Sequence, residues 1–347
     1  MFNKNRSTFH PDDVTLLLTD ITGKIEPKAT AEREALIQKG VHYSEMLPLE
    51  YKPSERYISE YYHALDDFSA ETAAAVMTVA EKIHFMKNDR AVLVSLARAG
   101  TPIGILIKRY LYQKYHYIVP HYTISIVRGR GIDIAAMEYI LKKHPPESIQ
   151  FVDGWTGKGA ILNELSAAVT EFIGPHEKRL LLAVLADPAN ITDVCGTHED
   201  IPIASSFLNS TVCGLMSRTI IHPSIGNNEF HGVVYYDHLQ SEDKTYEFIE
   251  KIESCFHFSS LSGMNEVQKI ALEFGIKDIN FVKPGIGETT RVLLRRVPDM
   301  VLIAENALPK YVSHIIQLAE EKQVPVIRYP LKQYQACGII KTLGADL

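Results

Sequence analysis

The residues between positions 153 and 159 combine an acid, three glycines, a threonine and a lysine where a predicted strand passes into a helix. Ile149–Val152 is rich in β-branched and aromatic types and predicts a buried strand. A glycine-rich turn at such a junction directs several backbone N–H groups at one point, which favours an anion. Asp153 would stand beside a sugar attached to that anion. The predicted substrate-binding residues of this loop are Gly154, Thr156, Gly157, Lys158, Gly159 and Ala160. An ordinary tight turn is the alternative.

Two further junctions carry residues suited to an anion. A strand predicted over 91–96 is followed by Ala97, Arg98, Ala99 and Gly100 and then by a helix, which gives a second turn of the same kind. A strand predicted over 121–127 is followed by Arg128 and Arg130 on a glycine-bearing loop. Two arginines there could close over a polyanion and exclude water. A solvated basic turn is the alternative.

The order of these three loops resembles the type I phosphoribosyltransferases. The resemblance implies an α/β fold with a parallel sheet, and it implies binding of phosphoribosyl pyrophosphate (PRPP) with Mg²⁺. Asp153 would hold the ribose hydroxyls and take part in metal binding, while Arg98, Arg128 and Arg130 would stabilise the departing pyrophosphate. Asp153, Arg98, Arg128 and Arg130 are therefore the predicted catalytic residues. The chain departs from the family at Asp153-Gly154, where two adjacent acids are usual.

Two later segments offer further candidates. Asp187 ends the apolar run 179–186, and the carboxyl end of a parallel strand is a common place for a site residue. Capping of the following turn is the equal alternative for Asp187. The segment 201–220 is rich in hydroxyl and amide groups among apolar neighbours, and Asn209 is taken from it as a substrate-binding residue. Such groups either satisfy one another or face a polar ligand.

Several stretches within residues 9–260 resemble the StiP domain of bacterial tellurite and stress (Ter) gene clusters. They are 32–38, 42–47, 96–104, 128–133, 152–161 and 208–212. That family carries two labels, phosphoribosyltransferase and cysteine protease, and we expect the transferase. A non-catalytic PRPP or nucleotide sensor is the first alternative. The protease is the second, with Cys213 or Cys195 as nucleophile and His231 or His222 as base. No local pattern in the sequence ties a pair of them together.

Residues 264–347 resemble the Pelota-type RNA-binding module, a smaller α/β domain. The most specific part is the glycine-rich turn 285–291, which opens a helix and could take an RNA phosphate. The resemblance implies RNA as a partner. The predicted RNA-binding residues are Lys283, Gly285, Gly287, Glu288, Thr289 and Arg291.

Length and composition set the frame for these sites. The 347 residues predict two domains, 1–262 and 263–347. A net charge of −6 gives no global basic field, so any RNA contact must be local. The four cysteines form no Cys-x-x-Cys pair, which argues against a disulfide framework or a zinc knuckle and favours a reducing compartment. With no apparent signal peptide or membrane span, we expect a cytoplasmic protein with no membrane partner. A homodimer is possible.

Overall fold

A computed structural model describes residues 7–50, 52–226, 228–256, 266–276 and 278–341. The chain divides into two compact units, with the division between residues 258 and 259. The predicted linker near residue 262 lies outside the described residues, and the boundary there stays a prediction.

The first unit alternates strands and helices along most of its length. Its helices are α1 (Thr30–Gln38), α2 (Glu55–Lys87), α3 (Gly100–Tyr115), α4 (Ile134–Leu141), α5 (Ala160–Ile173), α6 (Lys178–Leu181) and α7 (Thr245–Glu253). Its strands are β1 (Thr15–Leu16), β2 (Thr19–Asp20), β3 (Pro27–Lys28), β4 (Leu47–Pro48), β5 (Val92–Leu96), β6 (His121–Ile124), β7 (Ile126–Val127), β8 (Gly131–Ile132), β9 (Ile149–Val152), β10 (Leu182–Ala186), β11 (Cys195–Thr197) and β12 (Gly232–Val233).

The centre of this unit is a six-stranded sheet in the order β1-β6-β5-β9-β10-β11. Every neighbouring pair in it is parallel. Its inner strands are buried along their whole length, as expected of a sheet covered on both faces. The carboxyl ends of β5, β9 and β10 therefore meet at one edge. The predicted α/β class with a parallel sheet is confirmed, while the finer assignment to the phosphoribosyltransferase fold stays a prediction.

Helix α2 packs on this sheet and is longer than the sequence suggested. A helix was predicted over 69–86, but α2 begins at Glu55, where the Ser54 hydroxyl accepts the Tyr57 N–H. Its apolar positions recur at helical spacing and are buried. A Cβ placed on Gly196 of β11 would lie 2.6 Å from Ala75 Cβ, so this glycine allows α2 to approach the strand closely. The approach fixes the position of β11 in the unit.

The second unit is a smaller α/β domain. Its helices are α8 (Glu266–Glu273), α9 (Ile286–Arg295) and α10 (Pro309–Glu321), and its strands are β13 (Val282–Pro284), β14 (Pro298–Ala304), β15 (Val326–Tyr329) and β16 (Ala336–Ile340). The strands form a mixed sheet in the order β13-β16-β14-β15, in which only β14 and β15 are parallel. A strand predicted over 279–282 is a short 3₁₀ turn that passes into β13.

Among the residues described in both units, no helix combines the length and apolar character required to cross a bilayer.

Candidate functional site

The loop after β9 is held against β10 by backbone hydrogen bonds. Asp153 and Thr156 donate their N–H groups to the carbonyl oxygens of Ala183 and Ala186, at 2.9 and 3.0 Å. The Gly154 N–H is also used, because it donates to Asp153 Oδ1 over 2.8 Å. These three N–H groups already bind oxygen atoms of the protein and are not available to a ligand. Within this loop, the predicted anion site is therefore limited to the exposed turn at Gly157 and Lys158.

Burial disfavours the charged form of the Asp153 carboxyl group. Burial raises the pKa of this group to about 7, although the hydrogen bond from the Gly154 N–H lowers the pKa. Asp153 is therefore partly protonated at neutral pH. The Mg²⁺ site stays a prediction, and it would require the ionised form, since Mg²⁺ binds carboxylates. Gly159, at the start of α5, has a φ of 78° and so needs glycine.

Arg98 lies in the loop after β5, joined to Ala97 by a cis peptide bond. Its Nη1 donates to the Met216 carbonyl oxygen over 2.9 Å, and its Nη2 donates to Asn209 Oδ1 over 3.0 Å. A carboxylate oxygen of Glu50 lies 4.0 Å from Nη1. The structure thus brings together two predicted site residues, Arg98 and Asn209, and it pairs them with each other.

Gly100 brings the loops after β5 and β9 into contact. It follows Ala99 and begins α3, and a Cβ placed on it would lie 2.4 Å from the Val152 carbonyl oxygen. Any larger residue would push β9 away. Its role is therefore close packing between the loops, in addition to any contact with a ligand.

The arginine loop after β7 is fastened to the protein at several points. The N–H groups of Gly129 and Gly131 donate to the two carboxylate oxygens of Glu164, at 2.8 and 2.9 Å. The Arg128 N–H donates to the Tyr43 hydroxyl, and Arg130 pairs with the Glu45 carboxylate. The segment 42–45 thus contacts this loop through Tyr43 and Glu45. Both arginines are exposed.

Three residues at the ends of β10 and β11 form a tight group, here called the thiol cluster: Asp187, Cys195 and His198. One potential ligand atom from each lies within 4.8 Å of the others. The Cys195 sulfur lies 3.5 Å from His198 Nε2, and His198 Nδ1 lies 3.0 Å from the Asp187 carbonyl oxygen. Parallel pairing of β10 with β11 places Asp187 beside a strand that begins at Cys195.

In the thiol cluster, one carboxylate oxygen of Asp187 accepts hydrogen bonds and the other does not. Asp187 is fully buried, and its Oδ2 accepts the N–H groups of Ile191 and Thr192, at 2.7 and 2.9 Å. Within the described residues its Oδ1 has no hydrogen-bond partner. Burial raises the pKa of the Cys195 thiol, although the Lys82 ammonium acts in the opposite direction. The Oδ2 contacts show the capping role considered for Asp187, while its role in a site stays a prediction.

The histidine of this cluster was missed at the sequence level. His231 and His222 were the candidate bases for either cysteine, but their imidazoles contact the hydroxyls of Ser125 and Ser224. The available signal was Cys-Gly-Thr-His at 195–198, which has a spacing common in metal and thiol sites. Cys213, the other candidate nucleophile, is buried, as Cys195 is, and burial raises the pKa of its thiol to about 11.

In the second unit, the predicted RNA-binding residues surround the start of α9. Gly285 precedes the helix with a φ of 91°, and Gly287 is exposed. Arg291 forms an ion pair with the Glu288 carboxylate over 2.7 Å, so the two charges compensate each other. The Thr289 hydroxyl is buried and donates to the Gly285 carbonyl oxygen over 2.8 Å. Thr289 is therefore a structural residue, because its hydroxyl is turned inward.

Comparison with known proteins matches both units to families. Residues 7–253 match the family described as "Tellurite-like stress resistance cysteine protease StiP". Residues 261–342 match the PELOTA RNA binding domain. A relative from Acinetobacter baylyi (strain ATCC 33305 / BD413 / ADP1), named "Cysteine protease StiP", is 36% identical over 374 residues, which span 97% of this chain and 94% of the relative.

These matches correct the predicted activity. The resemblance to StiP, to its tellurite and stress context and to the Pelota module is confirmed. The prediction of a PRPP-dependent transferase is wrong, because the family and the relative are both named cysteine proteases. The error arose from weighing three glycine-rich turns above a cysteine whose histidine partner had not been found.

Proposed function

The chain belongs to the StiP family, and we propose that it is a cysteine protease whose nucleophile is Cys195. The observation that carries the proposal is the 3.5 Å separation between the Cys195 sulfur and His198 Nε2, with the Asp187 carbonyl oxygen 3.0 Å from His198 Nδ1. A thiol, a neighbouring base and a group that orients the base are the parts that nucleophilic catalysis requires.

The hydrogen bond from His198 to the Asp187 backbone determines the direction of proton transfer. A carbonyl oxygen can only accept, so Nδ1 carries the proton and Nε2 is the basic nitrogen. The sulfur lies 3.5 Å from Nε2 and 3.8 Å from Nδ1, so the exposed imidazole must turn before the Nε2 lone pair meets the thiol. As the sulfur attacks a peptide carbonyl carbon, its proton passes to Nε2. The C–N bond then breaks, the leaving amine takes that proton, and water hydrolyses the thioester and restores the thiol. Because burial favours the neutral thiol, this transfer coincides with attack.

A cavity of about 500 Å³ lies beside the chain at Asp187 and is the candidate peptide cleft, although Asp187, Cys195 and His198 do not line it. Ala186 and Pro188, on either side of Asp187, contribute to its wall. The predicted substrate-binding residues Thr156 and Gly157 line it as well. Apolar walls and one acidic residue, Asp200, would suit a peptide with a hydrophobic residue and a basic neighbour. We therefore infer that these residues of the β9 loop contact a peptide.

The test is hydrolysis of a fluorogenic peptide library by the full-length chain under reducing conditions. We expect cleavage that is abolished by Cys195→Ser and lowered at least about a hundredfold by His198→Ala. Cys255→Ser serves as the matched control and should cleave normally. Activity that persists in Cys195→Ser and disappears in Cys213→Ser would transfer the proposal to the other thiol, and would refute this one.

The match to the PELOTA RNA binding domain supports a second activity. We infer that the start of α9 is the RNA interface, where Lys283, Gly285 and Gly287 would approach a phosphate. A Cβ placed on Gly287 would meet no heavy atom within 4 Å, so an RNA backbone has room to approach. The paired Glu288 and Arg291 would have to separate before either could bind a base edge.

A further inference from the structure

The carboxylate of Asp187 is only half satisfied. The residue has no solvent exposure, and the two backbone N–H groups that it accepts both point at Oδ2. Oδ1 is buried without a hydrogen-bond partner among the described residues. Removing a carboxylate oxygen from water without a compensating donor is costly, so such an atom in a folded protein indicates a cation or another donor that completes it.

Two transition-metal ligands lie close to this carboxylate, and His198 Nδ1 is 3.8 Å from its Oδ2. The Cys195 sulfur and His198 Nε2 lie 3.5 Å apart, and one ligand atom from each member of the cluster lies within 4.8 Å of the others. In a tetrahedral zinc site with ordinary bond lengths, a sulfur and a nitrogen lie about 3.6 Å apart. The sulfur is also 3.8 Å from Nδ1 and so lies beside the ring, and the exposed imidazole would have to turn to direct its Nε2 lone pair at the metal.

The surrounding bonds hold these ligands as metal ligands are usually held. His198 donates its Nδ1–H to the Asp187 carbonyl oxygen over 3.0 Å, which leaves Nε2 free to bind a metal. The Lys82 ammonium donates to the carbonyl oxygens of Asp193 and Cys195, at 3.0 and 2.8 Å, and fixes the chain at the start of β11. The Lys82 contacts thus fix the thiol side of the site before the metal arrives, while the imidazole still has to turn.

We propose that Asp187, Cys195 and His198 bind one Zn²⁺ ion, with a fourth position open to water beside the exposed imidazole. A set of one sulfur, one imidazole nitrogen and one carboxylate oxygen favours zinc over the hard cations, which bind oxygen alone. Binding would release the thiol proton, because the thiolate is the ligand. The site is distinct from the predicted Mg²⁺ site at Asp153.

Zinc binding would also control the thiol. A sulfur lone pair that binds the metal is not available for attack on a carbonyl, so the zinc-loaded chain would be an inactive form of the protease. That consequence rests on the proposed function, whereas the metal site itself depends only on the three ligands.

The experiment is titration of the full-length, reduced and metal-free chain with Co²⁺, followed by displacement with Zn²⁺. We expect one equivalent of Co²⁺ to produce a thiolate-to-cobalt charge-transfer band, and one equivalent of Zn²⁺ to abolish it. Cys195→Ser should remove the band. His198→Gln should weaken Zn²⁺ binding at least about tenfold, measured against a chromophoric chelator. Cys255→Ser and His222→Gln are the matched controls and should bind as the wild type does.

Asp187→Asn completes the set, but its carboxylate also holds the turn at 191–192, so circular dichroism must first show that the variant is folded. His198→Gln keeps the proposal testable in any case, because the His198 side chain is exposed. The proposal is overturned by a wild-type chain that takes up no stoichiometric Co²⁺ or Zn²⁺, and equally by uptake that survives in Cys195→Ser and His198→Gln. Zinc binding by a chain with no peptidase activity would refute the protease and leave the metal site standing. Peptidase activity in a chain that binds no zinc would refute the metal site and leave the protease standing.

Discussion

His198 donates its Nδ1–H to the backbone carbonyl oxygen of Asp187 across 3.0 Å, and this bond leaves Nε2, 3.5 Å from the Cys195 sulfur, as the basic nitrogen. The acid thus acts through its main chain on the histidine, while its buried carboxylate keeps one oxygen without a hydrogen-bond partner among the described residues. Both a thiol nucleophile and a metal ligand need Nε2 unprotonated. The same contact therefore supports the proposed protease and the proposed zinc site.

Gly196, next to Cys195, should be essential to the position of the cluster. In Gly196→Ala the new Cβ would lie 2.6 to 2.7 Å from atoms of Ala75 on α2, so β11 or α2 must move. We expect a loss of about 1–3 kcal/mol in the free energy of unfolding, with loss of zinc binding and of peptidase activity. Thermal unfolding and cobalt titration measure both effects. Gly157→Ala is the control for stability, because a Cβ there meets nothing within 4 Å. Normal stability and metal binding in Gly196→Ala would contradict the described packing.

Asp153 should make the stability of the first unit fall as pH rises. Its pKa is about 7 in the folded protein, against 3.8 as the ordinary value, so its contribution is fully present below about pH 4 and is lost as pH rises through 7. Asp153→Asn cannot ionise and should gain on the wild type by at most about 4 kcal/mol above pH 7, reduced by the partial exposure of the residue.

The measurement is urea unfolding at several pH values, followed by fluorescence. The chain has one tryptophan, Trp155, which lies two residues from Asp153 and so reports on the first unit. A stability difference between Asp153→Asn and the wild type that stays constant from pH 4 to pH 8 would show that the carboxyl group is not shifted.

Glu164 should hold the arginine loop closed. Its carboxylate accepts both the Gly129 and the Gly131 N–H groups, and Glu164→Gln leaves only one good acceptor. We expect local opening to become easier by about 1 kcal/mol, and trypsin cleavage after Arg128 or Arg130 to become roughly fivefold faster. Glu171→Gln, on the exposed side of α5, is the control. Equal cleavage rates in the two variants would assign the closure of the loop to its other contacts.

RNA binding by the second unit should depend on charge at α9. If Lys283 contacts a phosphate, Lys283→Ala should lower the log–log salt slope for single-stranded RNA by about 0.7. Glu288→Ala should raise RNA affinity, because it removes a negative charge and releases Arg291 from its 2.7 Å ion pair. Fluorescence anisotropy of the intact chain over a salt series measures both. Arg56→Ala in the first unit is the control, and a change of slope there equal to that of Lys283→Ala would place the interface elsewhere.

The sequence predicted the parallel sheet because its strands are short apolar runs, each followed by a turn and a helix. Ile149–Val152 became β9 without change. The start of α2 was missed because the residues after Glu55 mix aromatic and polar types, which weakens the apolar period. The Pro53-Ser54-Glu55 signal for a helix start was nevertheless present.

The thiol cluster could be predicted only in part. Asp187 was expected at a sheet edge, and Cys195 was considered as a nucleophile, but each was treated alone. Their meeting depends on the pairing of β10 with β11, which registers Ala186 with Thr197 and cannot be read from local spacing. The Cys195–His198 spacing was local and could have been found. The absence of Cys-x-x-Cys argued only against a zinc knuckle or a disulfide framework, and it says nothing of sites in which His replaces a cysteine.

Covalent trapping tests the account of the thiol cluster most directly. The full-length, reduced chain is treated with a peptidyl epoxide or chloromethyl ketone, and the modified residue is identified by peptide mass spectrometry. We predict a single adduct on Cys195, formed more slowly in His198→Ala and blocked by prior addition of Zn²⁺. An adduct on Cys213, Cys255 or Cys337, with Cys195 unmodified, would contradict the assignment of the nucleophile.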